Sequence, residues 1–529
     1  MRTVDGASER ARPGGSARTA GSWSFLHSTW VIAGVLAFGA ALRLVRYLSD
    51  RSLWLDESYL AINLMTRSYR SLLETLDYNQ GAPIGFLWAE RLMLDLFGDS
   101  ELALRFFPLL VGLASLGLFY LVSRQVLRAG ALILALVLFA TMEPFIRYSA
   151  EMKQYGLDIA VALGLVYVFL RTMENGELSR YQALLVGLTG PVAVWLSHPS
   201  VFVLAGFAAA GLYLALRRRD VTALVRQALA YGLWLLSFLV VYLVAVRDLR
   251  DLQETVRGVS SGSRTIKNLY TIFNDPGGFP RTAVGLAAAA TLVGAVYLSQ
   301  RRPGIVVLAG VTTAALLVAG ALGLYPVGQR FIVFLLPIVV LCLAEGVAVI
   351  VRDAPRLLSA GLVLAVAALI VAPVVGTAAK RLVSPPQIEE IEPLLDHVAA
   401  NWRTGDVLYL SQGSQYAFRY YAECDDCGTI KSVARKLWPS HPTNGGQSQT
   451  TPAIVADAET LFVGAEARLD YERLVGRNRV WLLHTHFFPR TEEALLEEAD
   501  ASGARMRCTH GGASLLCLYD FSRRPRRRP

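Results

Sequence analysis

LLSAGLVLAVAALIVAPVVG, residues 357–376, carries no charged side chain in 20 positions. A hydrocarbon core about 30 Å thick is crossed by roughly 20 apolar residues in helical form, so this run reads as a membrane crossing. Runs of the same kind recur at 27–48, 103–123, 131–146, 156–170, 181–197, 201–216, 225–246, 282–299, 305–324 and 331–350, which makes about eleven crossings. The runs are continuous instead of alternating, so they predict helices and not the strands of a barrel. Across all 529 residues, 54% are hydrophobic and 18% charged, with a mean hydropathy of +0.42. That balance is too apolar for a soluble multidomain chain.

Charge supplies the orientation. The net charge is +9, and the arginines gather in every second short loop: Arg124 and Arg128, Arg171 and Arg180, Arg217 to Arg219, Arg301 and Arg302, Arg352 and Arg356. Cytoplasmic loops carry such an excess, so the chain is expected in the plasma membrane with its N-terminus inside. The outer loops are then 49–102, 147–155, 198–200, 247–281 and 325–330, and everything after 377 is exported. The basic balance needs no nucleic-acid partner, because no basic segment is interleaved with stacking aromatics and the RRPRRR tail at 523–528 stands alone. Residues 1–26, polar and rich in Arg, Gly and Ser at their start, are expected to be a disordered cytoplasmic lead-in and not a cleaved signal peptide.

Between the first two crossings, residues 49–102 are too long for a turn. Apolar positions at helical spacing, with a break at NQGAPIG (79–85), predict two or three short helices along the outer interface. The catalytic transmembrane domain is placed at 27–376 and a small exported α/β domain at 377–529. In the latter, GDVLYL, RVWLLHTHF and SLLCLYDF read as strands and TEEALLEEADASG as a helix. Residues 435–455 read as a long loop. Cys342 lies inside a crossing, whereas Cys424, Cys427, Cys508 and Cys517 lie in the exported part. Those four fit one or two structural disulfides of open pairing, with a zinc site as the alternative.

The chain contains no GxxxxGK[ST], GxGxxG after a strand or HExxH, so nucleotide-driven transport, dinucleotide chemistry and zinc proteolysis lose their usual signatures. Polar residues remain at the outer ends of helices: Asp56 and Glu57; Arg147, Glu151, Lys153, Tyr155 and Asp158 in RYSAEMKQYGLD; His198 in WLSHPS; Gln329 and Arg330 in LYPVGQRFIVFLLP. Each group has an ordinary explanation, as helix-terminal acids, snorkelling cations or an interfacial histidine. Asp158 is the exception, since an unpaired acid inside a crossing is expensive. Taken together on one side of the membrane, carboxylates and cations beside an apolar wall suit a reaction that deprotonates an acceptor hydroxyl while a phosphate leaves.

The ordered series WLDES, LDYNQGAPIGFLWAERLMLDLFGDSELALRFFPLLVG, YSAEMKQYGLD, LSHPSVFVLAG, YPVGQRFIVFLLP and GDVLYLSQGSQYAFRYY resembles the GT-C class of membrane glycosyltransferases. Within it the chain is most similar to bacterial glycosyltransferase family 39, whose relatives are protein O-mannosyltransferases, aminoarabinose transferases and lipid A core galacturonosyltransferases. The resemblance implies a GT-C fold and an inverting transfer of sugar from a polyprenyl-phosphate donor to a lipid, glycan or protein acceptor on the exported face. It implies that Asp56 is the general base, that Glu57 supports the loop, that Glu151 and Lys153 shape the sugar site, and that Arg330 holds the donor phosphate; Tyr155, His198 and Gln329 are further candidates for binding donor or substrate. Asn79 and Gln80 fall where many relatives carry His-Pro-Pro or Lys-Pro-Pro, so the usual cation is missing from that substrate-binding position. The Asp56/Glu57 doublet is also a candidate seat for a divalent cation, although oxygen ligands at this spacing are unspecific. A lipid-linked sugar flippase or small-solute transporter is the competing expectation; it calls for repeated halves or paired broken helices, which the sequence does not display.

Overall fold

The structure, a computed structural model, describes residues 29–174, 178–246, 272–274, 277–427, 453–455, 471–486 and 489–522. The lead-in at 1–26, the basic tail and most of the 435–455 loop lie outside the described residues.

In chain order the membrane part is built from α1 (Thr29–Leu48), the first-loop helices α2 (Leu55–Thr66) and α3 (Ile84–Phe97), α4 (Glu101–Val126), α5 (Ala129–Thr141), a short α6 (Glu143–Arg147), α7 (Tyr155–Thr172), α8 (Arg180–Leu196), α9 (Ser200–Arg218) and α10 (Val221–Val241). It continues with α11 (Arg281–Arg301), α12 (Pro303–Ala321), α13 (Leu336–Asp353, entered through a 3-10 segment Gln329–Leu335), α14 (Arg356–Val366) and α15 (Ala372–Val383). Within the described residues each of the eleven apolar runs is helical over most of its length. Among the described residues nine helical stretches are long and apolar enough to cross a membrane, while α5 with 13 residues and α8 with 17 are shorter. The run at 131–146 breaks at Met142 because Pro144 sits in the first turn of α6 and cannot donate to the ladder of α5. The last crossing extends past 377 to Val383, so the polar domain begins later than composition indicates. Small residues let helices approach: a side chain at Gly294 of α11 would collide with the Cys342 carbonyl of α13, and one at Gly346 of α13 with the Ala290 carbonyl of α11.

The two ends of the bundle differ in chemistry. At one end the basic loops meet: Arg302 pairs with Glu174 at 2.9 Å and donates to the Gln125 carbonyl, Arg218 donates to the Met173 carbonyl, and Arg128, Arg301 and Arg352 surround the Tyr297 ring. The first-loop helices pack instead against the C-terminal domain. That domain contains α16 (Glu392–Asn401), β1 (Val407–Leu410), α17 (Gln412–Glu423), β2 (Ala453–Val455), β3 (Val480–His484), α18 (Pro489–Ser502), β4 (Ala504–Gly511) and β5 (Ser514–Asp520). Its sheet runs β2-β1-β3-β5-β4, parallel across β2, β1 and β3 and antiparallel at β3/β5 and β5/β4. Cys508 faces Cys517 directly in the β4/β5 register, and the two are joined. Cys424 and Cys427 form a second disulfide, while Cys342 is free and buried.

One apolar core is shared across the seam. Leu60, Leu64, Phe86 and Leu104 from the first loop and α4 pack with Leu394, Leu408, Phe418, Tyr420 and Trp481 of the C-terminal domain. The seam is polar as well: the Asp99 carboxylate, between α3 and α4, accepts the N–H groups of Asp425 and Asp426 at 2.8 and 2.9 Å.

Candidate active site

Asp56 and Glu57 occupy the first turn of α2, where the exposed N–H groups of a helix start favour acidic side chains. The doublet then divides. Asp56 Oδ2 lies 2.6 Å from Arg330 Nη1, with 20% of the Asp56 side chain and 31% of the Arg330 side chain exposed. Arg330 follows Gln329, a non-glycine residue at φ 42°, in the 3-10 segment that leads into α13. Its guanidinium stands 5.7 Å from the Trp54 ring centroid, 5.7 Å from that of Tyr155 and 5.5 Å from that of Phe331. An aromatic wall of this kind attracts a cation through the negative faces of its rings.

Glu57 points the other way and is fully buried. Its Oε2 is 2.7 Å from Arg105 Nη2, and its Oε1 accepts from Arg105 Nε at 3.1 Å and from the Met152 N–H at 2.8 Å. Arg105 also donates to the carbonyls of Arg51 and Ser52. Burial opposes ionisation of Glu57, but the Arg105 guanidinium more than offsets it and holds the carboxyl below its ordinary range. Glu57 therefore ties α2, α4 and the loop before α7 together, in keeping with a supporting role, and it is not presented for proton transfer.

The loop before α7 supplies the second cation. Lys153 Nζ donates to Gln80 Oε1 at 2.7 Å. Burial pushes this ammonium down to about 8; Asp56 pulls it back up, and Arg330 acts in the same sense as burial. Glu151 is buried, with Oε2 2.7 Å from Arg147 Nε. Tyr155 opens α7, buried, with its ring edge-on to Phe331 at 6.0 Å. Asp56, Arg330, Lys153, Gln80 and Tyr155 are thus one group drawn from α2, the 79–85 loop, the start of α7 and the segment before α13.

Three sequence candidates stand apart. Asn79 is exposed at φ 51°, and among the described contacts none joins it to Asp56 or Arg330. Gln329 is exposed and serves the turn before Arg330. His198 lies between α8 and α9, and burial pushes its imidazole down to about 4, so it is neutral at pH 7; its neighbour Ser197 donates to Asp158 at 2.7 Å, which gives that intramembrane acid its partner.

Sequence reasoning missed Trp54, Arg105, Glu389 and His486. Arg105 left a signal, an arginine near the start of an otherwise apolar helix that needs a buried counter-charge. The other three left none, because they become relevant only through chain segments hundreds of positions away.

A divalent cation at the doublet does not fit this arrangement. Both Glu57 oxygens are taken up by Arg105 and backbone N–H groups, which leaves Asp56 as a single carboxylate. Among the described residues no group of three or more His, Cys, Asp or Glu is placed to hold a metal ion.

Comparison with known proteins supplies the context. A sequence model of the family described as dolichyl-phosphate-mannose-protein mannosyltransferase matches residues 81–246. Among solved structures, the chain is similar to ArnT from Cupriavidus metallidurans in the apo state, at 15% identity over 92% of this chain and 98% of that one, with a TM-score of 0.50. The same protein bound to undecaprenyl phosphate aligns at 14% identity over 92% and 98%, with a TM-score of 0.49. The archaeal oligosaccharyltransferase AglB from Archaeoglobus fulgidus, in complex with an inhibitory peptide and a dolichol-phosphate, aligns at 13% identity over 94% of this chain and 75% of that one, with a TM-score of 0.47. No curated protein matches the chain by sequence. The fold is that of the GT-C class of membrane glycosyltransferases.

Proposed function

We propose that this multi-pass membrane protein of the GT-C class is an inverting glycosyltransferase that moves a sugar from a polyprenyl-phosphate donor to a hydroxyl-bearing acceptor on the exported face. The observation that carries the reading is the Asp56–Arg330 pair at 2.6 Å, largely buried and walled by Trp54, Tyr155 and Phe331. A carboxylate held beside a guanidinium provides a base and an anion site within one side-chain length of each other. The matched family's description, which names a dolichyl-phosphate sugar as donor, supports the same substrate class.

In this reading the donor phosphate binds Arg330, with Lys153 as the second cation, and so relieves Asp56 of its ion pair. The acceptor oxygen then forms its bond to the anomeric carbon as Asp56 takes the acceptor proton. The bond from that carbon to the phosphate oxygen breaks, and its electron pair stays on the lipid phosphate. The phosphate gains a negative charge in this step. Cations in a dry site therefore stabilise the transition state more than the ground state, which is the condition for catalysis. A single displacement inverts the anomeric carbon.

Sidedness follows from charge. The end of the bundle where the arginine loops meet is cytoplasmic under the positive-inside rule, which puts the opposite end, with the first-loop helices and the C-terminal domain, outside. An activated donor reaching that face has to travel in the bilayer, and a polyprenyl phosphate does so. The reading is tested by incubating detergent-purified protein with radiolabelled undecaprenyl-phosphate sugars and a membrane lipid extract. A transferase consumes donor without a second compartment; a flippase does not.

A further inference from the structure

The backbone that presents Asp56 is held by the far end of the chain. The Leu55 N–H, at the first position of α2, donates to Glu389 Oε2 at 2.9 Å, and the Ser52 N–H donates to Glu390 Oε2 at 3.1 Å. The Glu392 N–H in turn donates to Ser52 Oγ at 3.1 Å. These acids lie on the linker between α15 and α16, and Glu389 is buried. Its second oxygen, Oε1, is 2.8 Å from Nδ1 of His486, which comes from the C-terminal domain just after β3.

His486 is unusual in two respects. Its backbone is left-handed at φ 58°, a conformation that non-glycine residues rarely adopt and that persists where surrounding contacts impose it. Its side chain is 40% exposed although its partner is buried. The imidazole is within electrostatic reach of both members of the central pair: Glu389 raises its affinity for a proton, burial opposes this, Asp56 adds to the rise and Arg330 subtracts from it. A buried carboxylate bonded to an imidazole on one side and to the N–H beside the base on the other couples the two rigidly.

We propose that Glu389 and His486 are a positioning pair for Asp56, so that the C-terminal domain is an integral part of the active site. The pair does not touch the reacting atoms. It fixes the first turn of α2, and with it the direction of the Asp56 carboxylate relative to Arg330. Misplacing a reacting group by about 1 Å costs up to about a hundredfold in rate, so the pair acts on turnover and leaves donor binding alone.

The inference rests on the transferase reading, and one experiment separates the two. Full-length protein in detergent is supplied with a panel of undecaprenyl-phosphate hexoses, hexuronates and aminopentoses and a membrane lipid extract, and release of undecaprenyl phosphate is followed by mass spectrometry. His486→Ala lowers kcat by about tenfold to a hundredfold while donor KM and the unfolding temperature stay at their wild-type values. His486→Asn, whose amide N–H can still reach Glu389, recovers most of the rate. Glu389→Gln, which keeps an acceptor for the Leu55 N–H and loses the charge, falls between them. Wild-type kcat in His486→Ala, or a rise in donor KM with kcat unchanged, overturns the positioning role. Failure of the wild-type protein to turn over any donor overturns the transferase reading, and the pair's role with it.

Discussion

Arg330 reaches Asp56 across 274 positions of sequence, Nη1 to Oδ2 at 2.6 Å. The contact joins the start of the first-loop helix to the segment that enters α13, two places with no local reason to meet. In the resting protein each residue neutralises the other. In the proposed reaction an anion arriving at Arg330 would break that balance and free the carboxylate, which would couple donor binding to activation of the base through a single ion pair.

Replacing Asp56 by Asn removes the proton acceptor and keeps the shape. Transfer is expected to fall by about a hundredfold to ten-thousandfold, the usual weight of a general base. The variant still inserts and still binds undecaprenyl phosphate. Wild-type release of undecaprenyl phosphate by the Asn variant would remove Asp56 from the chemistry.

Arg330→Ala should weaken undecaprenyl-phosphate binding and lower turnover by about a hundredfold, as loss of one charge-stabilising donor does elsewhere. Arg302→Ala at the opposite end, which breaks the pair with Glu174 and the bond to the Gln125 carbonyl, serves as the control. Equal effects of the two substitutions on lipid-phosphate affinity would sink the phosphate role.

Lys153 gives the reaction an alkaline limb. Its ammonium is pushed down to about 8 by burial, and only the charged form assists a phosphate. On the alkaline side activity therefore declines as pH rises through about 8. Lys153→Arg, which stays charged, should carry activity to higher pH, and a pH–rate profile of both proteins checks this. An unchanged limb in the Arg variant would place the titration elsewhere.

Glu57 and Arg105 govern stability. Arg105→Met strands a buried carboxylate and is expected to cost about 3–5 kcal/mol, most of which the Glu57→Gln, Arg105→Met double variant regains. Because the Glu57 carboxyl is held below its ordinary value of 4.5, the pair's contribution is complete above that value. It is lost as pH falls through the lowered pKa. Unfolding in detergent, followed from pH 7 downward for the three proteins, measures both effects.

His198→Phe separates proximity in sequence motif from proximity in space. The histidine is neutral and joined to neither Asp56 nor Arg330, so kcat should change by less than about twofold, within the range of substitutions away from the reacting groups. A large loss of turnover with unchanged stability would return His198 to the reacting group.

Much of this was legible in the chain itself. Helical crossings follow from run length, because a bilayer leaves a backbone few ways to satisfy its hydrogen bonds. The break at 79–85 follows from proline and glycine, and the basic ends of the helices from the positive-inside rule, whereas the break at Met142 inside the run at 131–146 came only with the structure. The four cysteines of the polar domain marked themselves by location, though their pairing did not. The acidic doublet was visible because it stands at the outer mouth of the first crossing, where a helix start explains it in ordinary terms and the resemblance gives it a catalytic role.

The division of labour within that doublet was not visible, since Asp56 and Glu57 are chemically near-identical and differ only in which side of α2 they face. Tertiary packing decided it: Arg105 rose behind the helix to bury Glu57, and Arg330 arrived in front to meet Asp56. The same holds for Glu389 and His486, ordinary residues of a polar domain until the shared core of Leu60, Leu64, Phe418 and Trp481 brings that domain onto the first loop. Sequence determined which segments must enter lipid and which must leave it, because transfer free energy is a property of the segment alone. Which charges face one another is a property of pairs, and only the folded chain sets the distances on which that energy depends.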